Sequence, residues 1–419
     1  MSTSSAPTAD AAPSSDAAAS RRLPIAILAL AIAAFAIGST EFTIIGLLPE
    51  VAEDLEVSIP TAGLLVSGYA IGVVIGAPLM TAAGTKVRRH RLLLILMAIF
   101  TVGNVLSAIA PSYGLLLVSR VLSALPHGAF FGVASVVAAE LVPPHQRHKA
   151  VATMFTGLAM SNVVGVPLGT LLGQELGWRV SFWVIALLGV LSAVAILRLI
   201  PPMSAGSSLR NELAAFRRVR VWLVLAIIVF GFGGLFTIVG YIKPLMTDEA
   251  GLSANAVLPV LAVLGLGMVL GTRLVDPITR GRRLSHVVPV MLTLMVGVLL
   301  LFVVGSSSAP VAILLVFLLG AVAFAGATPM QAMAMDVARE APTLTSAAAQ
   351  GAFNLGNALG PALGGLAINA GFGYAALGWV GAAIGAVGVA LALLFVRLQT
   401  RDAAAAAAVP PRAAGCPAD

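Results

Sequence analysis

The chain has 419 residues, 59% hydrophobic and only 10% charged, with a formal net charge of +7 and a mean hydropathy of +1.03. A soluble chain carries roughly a quarter charged residues, so this apolar surface cannot all turn inward and the chain needs lipid as its solvent. A single cysteine, Cys416, excludes a disulfide framework or cysteine-based metal site. The sequence has no GxxxxGK[ST] loop for nucleotide phosphates and no HExxH pair for zinc proteolysis, so an ATP-driven or proteolytic function is not expected, nor is any cofactor or metal.

Taken in chain order, residues 1–22 are small and polar and are expected to be disordered. They lack the basic start and immediate apolar run of a signal peptide. Apolar stretches near the ~20 residues needed to cross a bilayer follow at 23–48, 61–83, 92–110, 114–139, 150–173 and 180–200. A polar interval, 201–220, divides these from six more at 221–242, 256–275, 286–305, 310–335, 346–369 and 374–397. The expectation is an all-α membrane protein of twelve transmembrane helices, in six-helix bundles at 23–200 and 221–397, joined by a cytoplasmic linker. The Ala/Pro-rich tail 398–419 is expected to be disordered.

On that frame, 21 of the 24 basic residues fall on one side of the membrane. They include Arg21, Arg22, the run from Lys86 to Arg91, Arg147, Lys149, the linker and Arg273 to Arg283. The first loop on the other side carries Glu50, Glu53, Asp54 and Glu56. This positive-inside bias predicts that both termini are cytoplasmic. The net charge then reflects topology, and no nucleic-acid partner is expected.

The two halves repeat at an offset of 195: Gly72 and Gly76 match Gly267 and Gly271, Arg88 matches Arg283, and Asn162, Gly165 and Gly169 match Asn357, Gly360 and Gly364. Repeated six-span halves are the layout of a transporter whose substrate sits between two pseudo-symmetric bundles. These glycines recur every four residues, which lets helix backbones approach closely. Their matched placement predicts smooth surfaces at the interface between the bundles. A passive receptor or assembly subunit, the reading of another class, needs neither this repeat nor charges within the membrane.

Five segments stand out: TEFTIIGLLPEVAEDL (40–55), GAPL before the basic loop, RVLSALPHGAFFG (120–132), GLAMSNVVGVPLGTLLGQELGWRVSFW (157–183) and GNALGPALGG (356–365). They resemble the major facilitator superfamily, in its twelve-span drug:proton antiporter branch of arabinose-efflux and chloramphenicol-resistance type. The resemblance implies a bacterial inner-membrane exporter of small organic molecules, drugs or antibiotics above all, driven by protons and acting as a monomer. Export of sugars, nucleosides or other metabolites stays open, as does proton-independent uptake. The family's acidic–basic latch after the second span lacks its acid here, since no carboxylate lies between Glu56 and Glu140. A latch is therefore sought among Arg88, Asp276 and Arg283, the alternative being that the arginines cap helix ends.

Ionisable groups inside the bilayer are functional candidates by default because they are costly there. Glu41 lies about 12 Å from the outer end of the first helix, and its repeat position is Phe236. It is a candidate for proton exchange or substrate contact; the structural alternative is a carboxylate neutralised by Arg120 or hydrogen-bonded to a neighbouring helix. By resemblance Arg120 is the arginine of the fourth-span motif associated with proton transfer. It is always charged and can only hold or release a carrier, unless it merely snorkels to the headgroups. His127 sits two turns deeper on nearly the same face and suits proton exchange, or a structural hydrogen bond. Asn162, Gln350, Asn354 and Asn357 are expected at mid-depth, either lining a cavity or joining helices at ~1 kcal/mol each.

Overall fold

The computed structural model describes residues 24–203, 209–253, 256–339 and 342–407. The expected disorder of residues 1–22 and of the end of the tail lies outside these. Among the described residues there is no strand. Lipid explains this, because a backbone crossing the bilayer must satisfy its own hydrogen bonds.

The first half comprises α1 (Ile25–Thr43), α2 (Leu48–Asp54), α3 (Ile59–Gly84), α4 (Arg89–Ala108), α5 (Tyr113–Glu140), α6 (Arg147–Met160), α7 (Val166–Leu176) and α8 (Trp178–Leu199). A short linker helix, α9 (Leu209–Ala215), leads to α10 (Val219–Val239), α11 (Val257–Thr279), α12 (Leu284–Gly305), α13 (Ala309–Val337), α14 (Pro342–Asn369) and α15 (Ala376–Ala407). Ser112 starts α5 with its hydroxyl accepting from the Leu115 N–H at 3.4 Å, as an N-cap should. A π-helical stretch, Ser161–Gly165, joins α6 to α7. Gly177, at φ 93°, turns α7 into α8 where a side chain would be strained.

Among the described residues, eleven helical segments are long and apolar enough to cross a membrane. The expected span at 346–369 forms as α14, 28 residues long, yet it is not one of the eleven. Its glycines and its amides Gln350, Asn354 and Asn357 lower the hydropathy of a helix that packs mainly against protein. The last helix runs past Arg397 to Ala407, so the start of the tail is helical.

Each half has its own apolar core. Leu30, Phe100 and Phe131 belong to the first and Leu235, Leu292 and Leu319 to the second. Leu187 and Leu191 on α8 and Leu301 and Val304 on α12 face outward, as expected of surfaces solvated by lipid.

The glycine expectation needs correction. Gly72 and Gly76 face Val121 to Leu125 of α5, and Gly267 and Gly271 face Phe317 to Ala325 of α13. Gly165 and Gly169 meet Ser39 and Thr43 of α1, while Gly360 and Gly364 meet α10, Tyr241 and Leu377. All eight therefore pack helices within a half. A four-residue ladder specifies close approach but not which neighbour approaches. The glycines that meet the other half are Gly128 and Gly132 against Ala347, Gly265 against Val163, and Gly351 against Val74.

The latch differs too. Arg88 and Arg283 are exposed, each just before the first residue of a helix, α4 and α12. The Asp276 side chain lies outside the described residues. Arg89, the neighbour of Arg88, forms the ion pair, donating to Glu140 at the end of α5. The missing acid of the first loop is thus supplied from the far end of the fourth span. At the opposite face Arg179 pairs with Asp54 at 2.7 Å.

Candidate functional site

Between the halves lies a cavity of about 50 Å³. Six phenylalanines line it: Phe42 and Phe155 from the first half, and Phe232, Phe236, Phe324 and Phe353 from the second. Five of the residues singled out in the sequence join them on its wall, namely Glu41, His127, Asn162, Gln350 and Asn354, and Asn357 is a sixth. Arg120 stands one layer behind, fully buried. The cavity has room for a few waters at most, and an organic substrate needs roughly 300 Å³ or more. This arrangement is therefore closed around its centre.

Contacts between the halves flank it on both sides. Gly132 of α5 packs on Ala347 at the start of α14, and the Thr156 hydroxyl of α6 reaches that of Thr272 on α11 at 3.4 Å. Both lie between the cavity and the face that carries the arginine-rich loops. Toward the opposite face, Phe42 stacks on Phe236 across the halves, with ring centroids 6.2 Å apart and planes 17° apart.

The polar groups form one connected chain. Glu41, near the end of α1, is 9% exposed. Its Oε1 accepts from Asn357 Nδ2 of the second half at 3.3 Å, and its Oε2 is 4.0 Å from His127 Nδ1. His127 Nδ1 lies 3.0 Å from the Tyr69 hydroxyl. The Tyr69 ring lies beneath the Arg120 guanidinium at 4.4 Å, a cation–π contact in a desolvated site. Arg120 donates to the Thr40 carbonyl at 2.8 Å, and the Thr40 hydroxyl donates to Asn104 Oδ1 at 2.6 Å.

No salt bridge joins Arg120 to Glu41, so of the two structural alternatives for Glu41 direct neutralisation does not form, whereas the hydrogen bond to a neighbouring helix does, from Asn357. The reach of Arg120 is spent on the α1 backbone one residue away, and Tyr69 and His127 stand between. Arg120 Nε and Nη2 have no hydrogen-bond partner among the described residues. An unpaired buried donor is expensive, and the Tyr69 ring offsets only part of this. Snorkelling is likewise excluded, because the guanidinium has no exposure.

The second half contributes amides. Gln350 Nε2 donates to Gln331 Oε1 at 2.9 Å, and Gln331 bonds Ser346 in turn. Asn354 Nδ2 donates to the Gln350 carbonyl at 3.1 Å. Asn162 Nδ2 bonds its own Leu158 carbonyl at 3.1 Å, so it is not a bridge between helices; the π-helical turn carries it at the cavity wall. Asn357 Oδ1 is buried with no donor facing it.

Tyr69, Thr40, Asn104 and Gln331 were missed in the sequence. They carry no charge, and threonine or tyrosine in an apolar helix is common. One signal existed: at the offset of 195, Tyr69, Thr40 and Asn104 correspond to Leu264, Leu235 and Leu299. A polar side chain where the duplicate has leucine is not required by the scaffold.

The model of the Major Facilitator Superfamily matches residues 30–350. The chain is 46% identical over 376 residues to the inner membrane transport protein YdhP of Escherichia coli strain K12, covering 88% of this chain and 95% of that protein. It is 35% identical over 351 residues to a chloramphenicol resistance protein of Streptomyces lividans, covering 81% and 88%. The putative transporter AraJ of Escherichia coli is 34% identical over 384 residues, covering 90% and 96%. Among solved structures, the human organic anion transporter MFSD10 superposes with a TM-score of 0.70 at 18% identity, over 89% of this chain and 99% of that one. The Escherichia coli fucose:proton symporter FucP gives 0.70 at 15%, over 88% and 98%. These two likenesses speak for the fold alone. With the length of the family match, the helical architecture and the cavity between the halves, the chain belongs to the major facilitator superfamily and is a multi-pass membrane transporter.

Proposed function

We propose that the protein is a proton-coupled exporter of small, largely apolar organic molecules, antibiotics among them. In this reading its two six-helix halves rock as separate bodies about the central cavity. The arginine-rich face is cytoplasmic, in keeping with the positive-inside bias. The observation that carries the reading is Glu41. It is a nearly buried carboxylate on the wall of a phenylalanine-lined cavity, and its only hydrogen bond runs to Asn357 of the other half. A carboxylate that loses or gains a proton changes what it can accept from Asn357. Proton exchange thereby acts directly on a contact that holds the halves together, and on the polarity of the site that substrate enters.

The six phenylalanines support apolar or aromatic substrates over sugars, whose hydroxyls require several aligned hydrogen-bond partners. The chloramphenicol resistance protein of Streptomyces lividans adds support from a relative. The duplicated halves and the buried charges argue against a passive receptor.

The test uses purified protein in sealed vesicles. A pH gradient should drive movement of chloramphenicol or another apolar antibiotic by wild type. Glu41→Gln should reduce that gradient-driven movement at least about tenfold, while exchange without a gradient persists. Equal gradient-driven rates in the two proteins would remove Glu41 from coupling. Movement of sugars but of no apolar compound would overturn the substrate class.

A further inference from the structure

A second concavity, of about 860 Å³, opens on the arginine-rich face of the second half, well away from the central cavity. Arg218, Arg220, Arg282, Arg283 and Arg339 line it. Topological bias explains why cations sit on this face, but not why five converge on one basin. Asp336 is the one carboxylate among the described residues lining it. It lies 3.7 Å from Arg339, and Asp402 pairs with Arg220. Among the described residues two carboxylates thus lie against these five guanidinium groups, Arg218 also donates to the Val337 carbonyl at 3.4 Å, and Arg282 and Arg283 are exposed to solvent.

The backbone adds to this field. α10 and α12, of 21 and 22 residues, both begin at the basin: Val219, Arg220, Leu284 and Ser285 line it. Neither start has a side-chain cap or an acidic residue in its first turn. Helix starts present free N–H groups and a partial positive charge to an anion, and arginine forks match phosphate oxygens two at a time. His148, from α6 of the first half, stands at the rim.

We propose that this basin binds a phosphate-bearing anion, either the headgroup of an anionic lipid or free phosphate from the aqueous phase. The apolar part of the wall, Leu284, Met333 and Phe395, would lie along an acyl chain in the first case. With His148 at the rim, an anion seated there touches both halves and favours the arrangement in which they meet on this face.

The experiment follows the thermal unfolding midpoint of the full-length protein in neutral detergent by tryptophan fluorescence. Cardiolipin, phosphatidylcholine, sodium pyrophosphate and sodium chloride of matched ionic strength are titrated separately. A rise with cardiolipin but not phosphatidylcholine identifies a lipid headgroup; a rise with pyrophosphate beyond the chloride control identifies a free anion. In either case Arg282→Gln combined with Arg283→Gln should weaken the response about tenfold. Lys86→Gln combined with Arg91→Gln, on the first half's loop, should leave it intact. Arg283→Lys keeps the charge and loses the fork, so it guards against misfolding and should show an intermediate response. No rise with any phosphate-bearing additive, or an equal response in all variants, would overturn the proposal.

Discussion

The two halves are built on one helical plan, and the polar chain occupies only one of them. At the offset of 195, Glu41, Tyr69, Arg120 and His127 correspond to Phe236, Leu264, Leu315 and Val322. Leu264 and Leu315 are buried where Tyr69 and Arg120 are buried in the first half. The second half meets the cavity with phenylalanine and uncharged amides instead. One half thus carries every titratable group at the centre, and the other supplies apolar surface and the amide of Asn357 that reads Glu41. Duplication supplied a scaffold that folds with leucine at these positions, so the charges in the first half are additions that the fold did not require.

The comparison can be broken in three ways, beginning with the largest expected effect. Arg120→Leu copies the second half into the first. Gradient-driven transport should fall at least about tenfold, because the polar chain loses its cation. The unfolding midpoint should not fall, because a buried charge replaced by an apolar side chain is often neutral or stabilising and two of the guanidinium nitrogens have no partner among the described residues. A large fall in the midpoint would make Arg120 a structural residue.

Phe236→Glu makes the opposite copy. A carboxylate there lacks the histidine and tyrosine that surround Glu41, and it should destabilise the protein by about 3 kcal/mol, read as a lower midpoint. Combined with Glu41→Gln it should restore no transport. Recovery of pH-driven movement in the double variant would mean that either half can host the proton.

Tyr69→Phe gives the smallest effect. It removes the hydroxyl beside His127 and keeps the ring under Arg120. The expected cost is about 1 kcal/mol, seen as a few-fold slower transport with a shifted pH profile. An unchanged pH profile would take Tyr69 out of the proton's route.

Much of this was legible in the chain, for physical reasons that also explain what was not. Lipid imposes span length, so the helices could be counted from apolar runs, and scarcity of charge made Glu41, Arg120 and His127 conspicuous. The partner of Arg120 was not legible: helical rise gives height along a helix, whereas the partner depends on packing angles, and Arg120 bonds the Thr40 carbonyl. The same holds for Gly72 and Gly360, whose spacing was plain and whose neighbours were not. Gln331 became visible only through its bond to Gln350. Polar partners in an apolar helix are found by what they touch.

The linker helix has a consequence of its own. Glu212 of α9 is buried, and its Oε2 accepts from the Leu344 N–H at 2.9 Å, in the first turn of α14. That helix is a continuous rod, and Asn357 lies 13 residues further along it, about 20 Å by helical rise. The connector between the halves is therefore a strut seated on the very helix whose amide grips Glu41. Lengthening it, or cutting it and expressing the halves separately, strips a carboxylate from the foot of that rod, and the disturbance is delivered to the middle of the membrane.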